Sequence, residues 1–440
     1  MKQLDVIDSQ AHSAGRSREA LAATTASSLL THFIQADLPQ MNSAIEARTG
    51  HPEALVNRLR PLFEAVRNEV ATSHATLERA AARKLLQHLG FGISSVERHF
   101  QAIGKQPGAA KESLGHLDDL LLTLGYIGEH PPRDSDTTYW YLNQDCLLSF
   151  TGDSQESHFN RVVNLQREVQ GNACALLRPV CDGDIEAASN DAARSMVEAA
   201  SELQRLVHGY RSFMEPIDGG YRFTPDFFMR RMRTYLVSYP VAGKLWSGPN
   251  AANLSANMSL DYLTGVTSPW YGEIVKGRWQ YLTREDQDSL LVDMTRSSIT
   301  NQVVQAIKLS FATILNSTPE TLARYIANQP VDRQQMIRAF GALLDPVVHA
   351  TGIHFRLIHE YLIRNANKLT DAEYNSLPIK PNKGTGEMAH GKTRQIMEMR
   401  RNHPIVARLL KAIRLFNDTN DNCLQLQLQQ GVQKCPMHTK

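Results

Sequence analysis

No two cysteines in this chain are spaced as a Cys-X-X-Cys pair. The five that occur, Cys146, Cys174, Cys181, Cys423 and Cys435, are odd in number and scattered. This argues against a disulfide framework, a zinc knuckle and the ordinary c-type heme attachment, and makes a reducing cytoplasm the expected location. No apolar run reaches the roughly 18 residues that a membrane-spanning helix needs. The first residues, MKQLDVIDSQAHSAGRSREA, lack the apolar centre of a signal peptide. Charge of one sign is also lacking: the formal net charge is +2. No basic stretch is interleaved with aromatics, so neither nucleic acid nor a membrane surface is an expected partner. The metalloprotease pattern HExxH is absent as well.

The rest is ordinary globular material. The chain has 440 residues, 42% of them hydrophobic and 21% charged, enough for one large domain or two. Apolar residues recur at helical spacing from Pro52 to about Leu89, for example at Leu55, Leu59, Leu62, Phe63, Val66 and Val70. Further helical stretches are expected at 94–104, 113–126, 157–178, 184–212, 224–237, 285–327 and 331–344. Strand-like pieces are short, Tyr139–Phe150 and Gly220–Phe223, so the fold class is all-α. The expected organisation is an N-terminal arm over 1–50, a helical region over 51–215, a second helical domain over 216–416 and a tail over 417–440. The boundary near 215 rests on Pro216 and the Gly219-Gly220 pair.

Sixteen histidines occur, and three of them, His349, His354 and His359, stand five apart in LLDPVVHATGIHFRLIHEYLIR. Each five-residue step turns an α-helix by about 140°, so the three imidazoles cannot converge on one ion. With His349 at zero, His354 falls at about 140°, beside Val347, Ile358 and Tyr361 on the apolar stripe, while the other two fall away from it. An inward histidine has two readings on spacing alone. One is a core residue satisfied by a backbone carbonyl; the other is an axial ligand to heme.

Several segments, in order, resemble the indoleamine/tryptophan 2,3-dioxygenase-like heme oxygenase superfamily, and most closely its monodechloroaminopyrrolnitrin synthase branch. They are Pro132-Arg133-Asp134 through Tyr139 and Asn143 to Ser149-Phe150-Thr151-Gly152-Asp153; Tyr221 to Phe228 leading into Arg233-Thr234-Tyr235-Leu236; Ser247-Gly248-Pro249-Asn250-Ala251-Ala252; Gln280-Tyr281-Leu282; the His354 helix; and Lys383-Gly384-Thr385-Gly386. Together they cover about 90–410. The resemblance implies a large helical bundle with a smaller N-terminal helical region that contributes to the distal pocket. It implies heme b held through His354 as the proximal iron ligand. It also implies an aromatic, indole- or phenol-bearing amino acid or derivative as substrate, with O2 or H2O2 as oxidant, in secondary metabolism.

Residue by residue, the resemblance makes Phe228 and Phe159 aromatic pocket walls and Arg233 the grip on a substrate carboxylate, a role that suits a planar, permanently charged fork. Asn250 and Ala251 fall where a small-residue loop approaches the distal face. Gly384, Thr385 and Gly386 fall in a loop able to close over the site. Phe228 and Arg233 are about 140° apart on an α-helix, so they flank one pocket if the helix end frays or the ligand is long. The chain also departs from the pattern: Glu387 breaks the glycine loop, Val163 stands where a distal serine is expected, and Pro249-Asn250-Ala251 replaces Gly-Ser-Ala. No side-chain acid–base pair is evident, so the catalytic work is expected from the heme. Two other classes stay open, a heme-binding sensor or carrier without turnover and a heme-free helical interaction protein. Cys435-Pro436-Met437-His438 carries ligand-type residues, but its terminal place favours a plain tail. The sequence is silent on oligomeric state, a homodimer being one option.

Overall fold

The computed structural model describes residues 25–217, 220–221, 223–381 and 390–432. Helices make up nearly all of the regular structure, as the composition predicts. The first is α1 (Thr25–His32), which runs through a π turn at Phe33–Asp37 into α2 (Leu38–Glu46). Leu30, Phe33, Ile34 and Leu38 are fully or almost fully buried here. From Thr25 onward, the expected arm therefore packs into the core along one helical stripe.

Next come α3 (Pro52–Ser73) and α4 (Arg79–Ala102). Pro52 opens α3 at its first turn, where a missing N–H costs nothing. α4 is buried around most of its girth and carries polar residues inward. Several of these find partners: Gln87 donates to the Thr138 carbonyl, Asn42 bridges Ser95 and His99, and Glu97 accepts from the Gly108 and Ala110 amides.

After α5 (Asp118–Gly128), the strand-like stretch Tyr139–Phe150 is not a strand. It holds a short helix at Asp136–Tyr139, capped by Ser135 in a capping box, and a 3-10 turn at Tyr141–Asn143. Its aromatics Tyr139, Trp140 and Phe150 each fill the core. The backbone meanwhile turns on Asn143, which both donates to and accepts from Leu148.

α6 (Ser154–Asp182) starts at an Asp153 cap and stops at Gly183, whose φ is +82°. It runs against α7 (Asn190–Arg211). Two small antiparallel hairpins follow. In the first, Pro216–Ile217 pairs with Gly220–Tyr221; in the second, Tyr239–Val241 pairs with Lys244–Trp246. The second turns on Ala242 and Gly243, both at positive φ, as a two-residue hairpin turn requires.

Then come α8 (Ser255–Thr264), α9 (Tyr271–Arg278) and α10 (Arg284–Thr295). The expected single stretch 285–327 is four helices. Thr283, Ser298, Ser310 and Thr318 each cap a new one through the side-chain oxygen. The chain ends with α11 (Val331–Ile358), α12 (His390–Asn402) and α13 (Pro404–Val432).

Two large apolar clusters organise these helices. One gathers the N-terminal helices, the aromatics of 210–246 and the end of α11; the other gathers the start of α11 with α8, α13 and the intervening helices. Three helices cross from one cluster to the other. α6 passes from Val162 and Val169 to Ala173 and Leu177, α7 from Leu203 to Leu206 and Tyr210, and α11 from Val347 to Ala350 and Ile353. Where they cross, the clusters part around a cavity. No helix of the described residues is long and apolar enough to cross a membrane.

Candidate functional site

The cavity has a volume of about 250 Å³. Its walls come from α6, α7, α8, α11 and α12, the segment holding Phe228, and the loop Asn250–Ala252. Of the three spaced histidines, His349 meets Arg211 at 3.0 Å and His359 lies exposed beside Glu360. His354 lines the cavity. Desolvation by the surrounding protein, with the Arg400 charge nearby, lowers its pKa to about 4. The ring nonetheless keeps an accessible surface, because it faces the open space. Tyr210 stacks on it at 5.5 Å with an interplanar angle of 23°. His354 is therefore a neutral imidazole in an apolar surrounding.

Opposite chemistry lies along the aromatic wall. Phe159 stacks with Phe223 at 5.3 Å and Phe213 at 5.8 Å, and touches Phe228 at 5.5 Å. The Tyr361 hydroxyl reaches the carbonyl oxygens of Phe213 and Phe223, tying the end of α11 to this wall. Phe228 sits in a π turn, Phe227–Arg231, continued by a 3-10 turn, Met232–Tyr235. The Met232 amide reaches back five residues to the Phe227 carbonyl. A wider turn brings residues five apart toward one face, and both Phe228 and Arg233 line the cavity. Tyr361 lies in a second π turn, His359–Ile363.

Arg233 is 1% exposed and donates to the Ile379 and Lys380 carbonyls at 3.0 and 3.2 Å. Burial lowers its pKa to about 10, so it stays charged. Asn250 and Ala251 also line the cavity, as does Val163, the residue found in place of a hydroxyl. Asn250 caps the following turn with its side chain and donates its amide to buried Asp136 at 2.8 Å. Gly384, Thr385 and Gly386, with the tail Cys435–His438, lie outside the described residues.

Sequence reasoning missed a buried polar chain. The Tyr210 hydroxyl donates to Gln166; Gln166 donates to Gln170; Gln170 donates to Asn257. Asn257 also accepts from Arg400, which grips both carboxylate oxygens of Asp261 at 2.7 Å. Tyr271 donates to the same carboxylate at 2.6 Å. Burial opposes the Arg400 charge, but the Asp261 carboxylate outweighs it and raises the Arg400 pKa. Only the four-residue spacing of Gln166 and Gln170 on one face of α6 hinted at this chain.

The SFTGD segment also has a structural explanation. Glu156, three residues inside α6, accepts from the Tyr139 and Ser149 hydroxyls and from the Phe150 and Thr151 amides. That motif organises a helix start rather than touching the cavity.

The donor set fits a cofactor needing one protein ligand. Among the described residues, no group of three or more His, Cys, Asp and Glu side chains could hold a metal ion. A lone neutral imidazole in an aromatic-walled cavity suits heme iron.

No curated protein matches the chain. A family model described as monodechloroaminopyrrolnitrin synthase PrnB matches residues 22–319. The match takes in α6, α7, the aromatic wall, the Asn250 loop and Asp261, and ends before the helix of His354. Spanning more than half of the sequence, it shows that the chain belongs to the monodechloroaminopyrrolnitrin synthase PrnB family, a family of heme-dependent oxygenases.

Proposed function

We propose that this chain binds heme b through His354 and oxidises an aromatic, indole- or phenol-bearing amino acid or its derivative with O2. The observation that carries the reading is His354 itself: a neutral imidazole whose accessible face looks into an aromatic-walled cavity. When bound, heme supplies the oxygen-activating redox chemistry.

The chain's own residues supply the rest. His354 offers a nitrogen lone pair that stays unprotonated across neutral pH, since its pKa lies near 4. Tyr210 stacks on the imidazole, and its hydroxyl is held by Gln166, which fixes the ring's plane. Phe159, Phe223 and Phe228 give a flat ring an apolar surface and exclude water from it. Arg233 places a buried positive charge on the same wall for a carboxylate.

Replacing His354 by alanine is expected to abolish hemin retention, read as loss of the Soret band after gel filtration, with far-UV helicity kept. Full heme occupancy in that variant would refute the assignment. Replacing Arg233 by leucine is expected to weaken carboxylate-bearing ligands far more than hemin; unchanged ligand affinity would give that task to another cation.

A further inference from the structure

The loop Asn250–Ala252 stands between two open spaces. All three residues line the His354 cavity, and Asn250 also lines a second pocket of about 950 Å³ that opens outward. With space on both sides, the loop leans on its polar contacts. The Asn250 side chain accepts from the Ala252 amide at 3.0 Å, and the Arg278 guanidinium donates to the Ala252 carbonyl at 2.6 Å. The Asn250 amide donates to Asp136 Oδ1 at 2.8 Å. Of these three contacts, the last is the one whose acceptor can titrate.

Asp136 stands on a fixed base. It opens the short helix Asp136–Tyr139, which Ser135 caps, and His130 meets the Ser135 hydroxyl at 2.7 Å. Its carboxyl is buried. Three charged groups face it: Asp286 in the first turn of α10, Arg167 on α6 and Arg278 at the end of α9. Asp286 accepts from the Ser255 and Thr283 hydroxyls. Arg167 lies over the Tyr141 ring at 3.5 Å, and its buried Nη1 has no hydrogen-bond partner. Arg83 and His130 stand behind these groups, Arg83 near Arg167 and His130 near Asp286.

We propose that Asp136 is a positioning residue that latches this loop by its protonation: the neutral carboxyl keeps the Asn250 turn seated on the His354 cavity, and ionisation at rising pH lets the turn open toward the outer pocket. Its bearing on ligand exchange rests on the heme reading above. Burial pushes the Asp136 pKa up to about 7, the Asn250 amide opposes the rise, Asp286 adds to it and Arg167 opposes it. Burial outweighs the amide, so the ionised carboxyl gains more from water than from the N–H bond. Lifting the loop admits water and returns the group toward the ordinary carboxylate range, near about 4. Opening therefore becomes easier as pH rises from that range to about 7, and levels off above it. Between pH 6 and 8 the gain is about tenfold.

The test is hydrogen–deuterium exchange at pH 6 and pH 8, read by mass spectrometry on the segment 247–254 and corrected for the intrinsic chemical rate. In wild type, this segment should open about tenfold more often at pH 8, while α3 does not follow. Asp136→Asn keeps an oxygen for the Asn250 amide and cannot ionise, so its loop should open equally rarely at both values. Arg167→Met removes a cation that favours ionisation and should move the rise to higher pH; Asp286→Asn should move it lower.

Hemin transfer to excess apomyoglobin gives the second readout. Release from wild type should be about tenfold faster at pH 8 than at pH 6, and release from Asp136→Asn equally slow at both. Loop opening that is the same at both values in wild type, or that rises as steeply in Asp136→Asn, overturns the latch. A latch seen in exchange but absent from hemin release overturns its control of the cavity. A protein that retains no hemin overturns the heme reading instead, and exchange still decides the latch alone.

Discussion

Asp136 is a buried carboxyl that burial pushes up to about 7, with Asp286 adding to the rise and the Asn250 amide opposing it. The folded protein then holds a proton between pH ~4 and 7 that the unfolded chain has released, so this group costs stability as pH rises through that window. Asp136→Asn keeps an oxygen to accept the Asn250 amide and removes the ionisation. It is expected to be more stable than wild type, by a larger margin at pH 8 than at pH 5, in urea unfolding curves; an equal margin at both would show that Asp136 is ionised in the fold.

Four histidines desolvated by their surroundings act oppositely. Burial lowers His88, His130 and His354 to about 4 and His99 to about 2. The unfolded chain takes up their protons first, so stability should fall as pH drops from about 6.5 toward 4, read as a falling urea midpoint. The face of His354 was legible from spacing, because a helix converts number into angle. The burial of Asp136 was not, because its partner, the Asn250 amide, stands 114 residues away in sequence.

At the scale of elements, the loop that carries Asn250 is set by one close approach. A Cβ at Gly248 would lie 2.1 Å from the Leu236 carbonyl oxygen, and Leu236 lines the cavity. Neither partner can easily yield, since both are backbone and buried Arg133 holds the nearby Val237 and Trp246 carbonyls. Gly248→Ala is expected to cost more than about 2 kcal/mol and to loosen hemin as the Asn250–Ala252 turn shifts. Gly277→Ala, with nothing near its Cβ, should instead gain about 0.5–1 kcal/mol from helix propensity. Equal effects in thermal unfolding would remove the packing explanation.

Most helices were legible, because apolar period and length agree over α3, α6 and α7. The breaks inside 285–327 were present in the sequence as Ser298, Ser310 and Thr318, each before a helix start, but the continuous helix-forming composition masked them. The π turns at Phe227–Arg231 and His359–Ile363 leave no such mark, because a one-residue widening is selected by packing.

At the scale of the molecule, the two apolar clusters close on the cavity from opposite sides, and α8 and α12 meet across its wall through one ion pair. Asp261 and Arg400 are 139 residues apart in sequence. No local pattern could pair them, although each stands on a readable helix. The pair is almost fully buried, with side-chain exposures of 2% and 13%, and Asn257 and Tyr271 complete its hydrogen bonds. Removing one partner strands the other charge in a medium that cannot solvate it. Asp261→Asn should therefore cost about 3–5 kcal/mol, while Asp261→Leu combined with Arg400→Met should cost much less, because no charge is left behind.

Because Asn257 links this pair to Gln170, Gln166 and Tyr210, the single substitution should also free the ring stacked on His354. A double-mutant cycle by urea unfolding, read beside the Soret maximum of the hemin-loaded protein, separates the two effects. A shifted Soret band in Asp261→Asn that is absent from Gln170→Ala would show that the coupling to His354 runs through the Arg400 charge alone. A shift in both would show that it runs through the hydrogen-bonded chain.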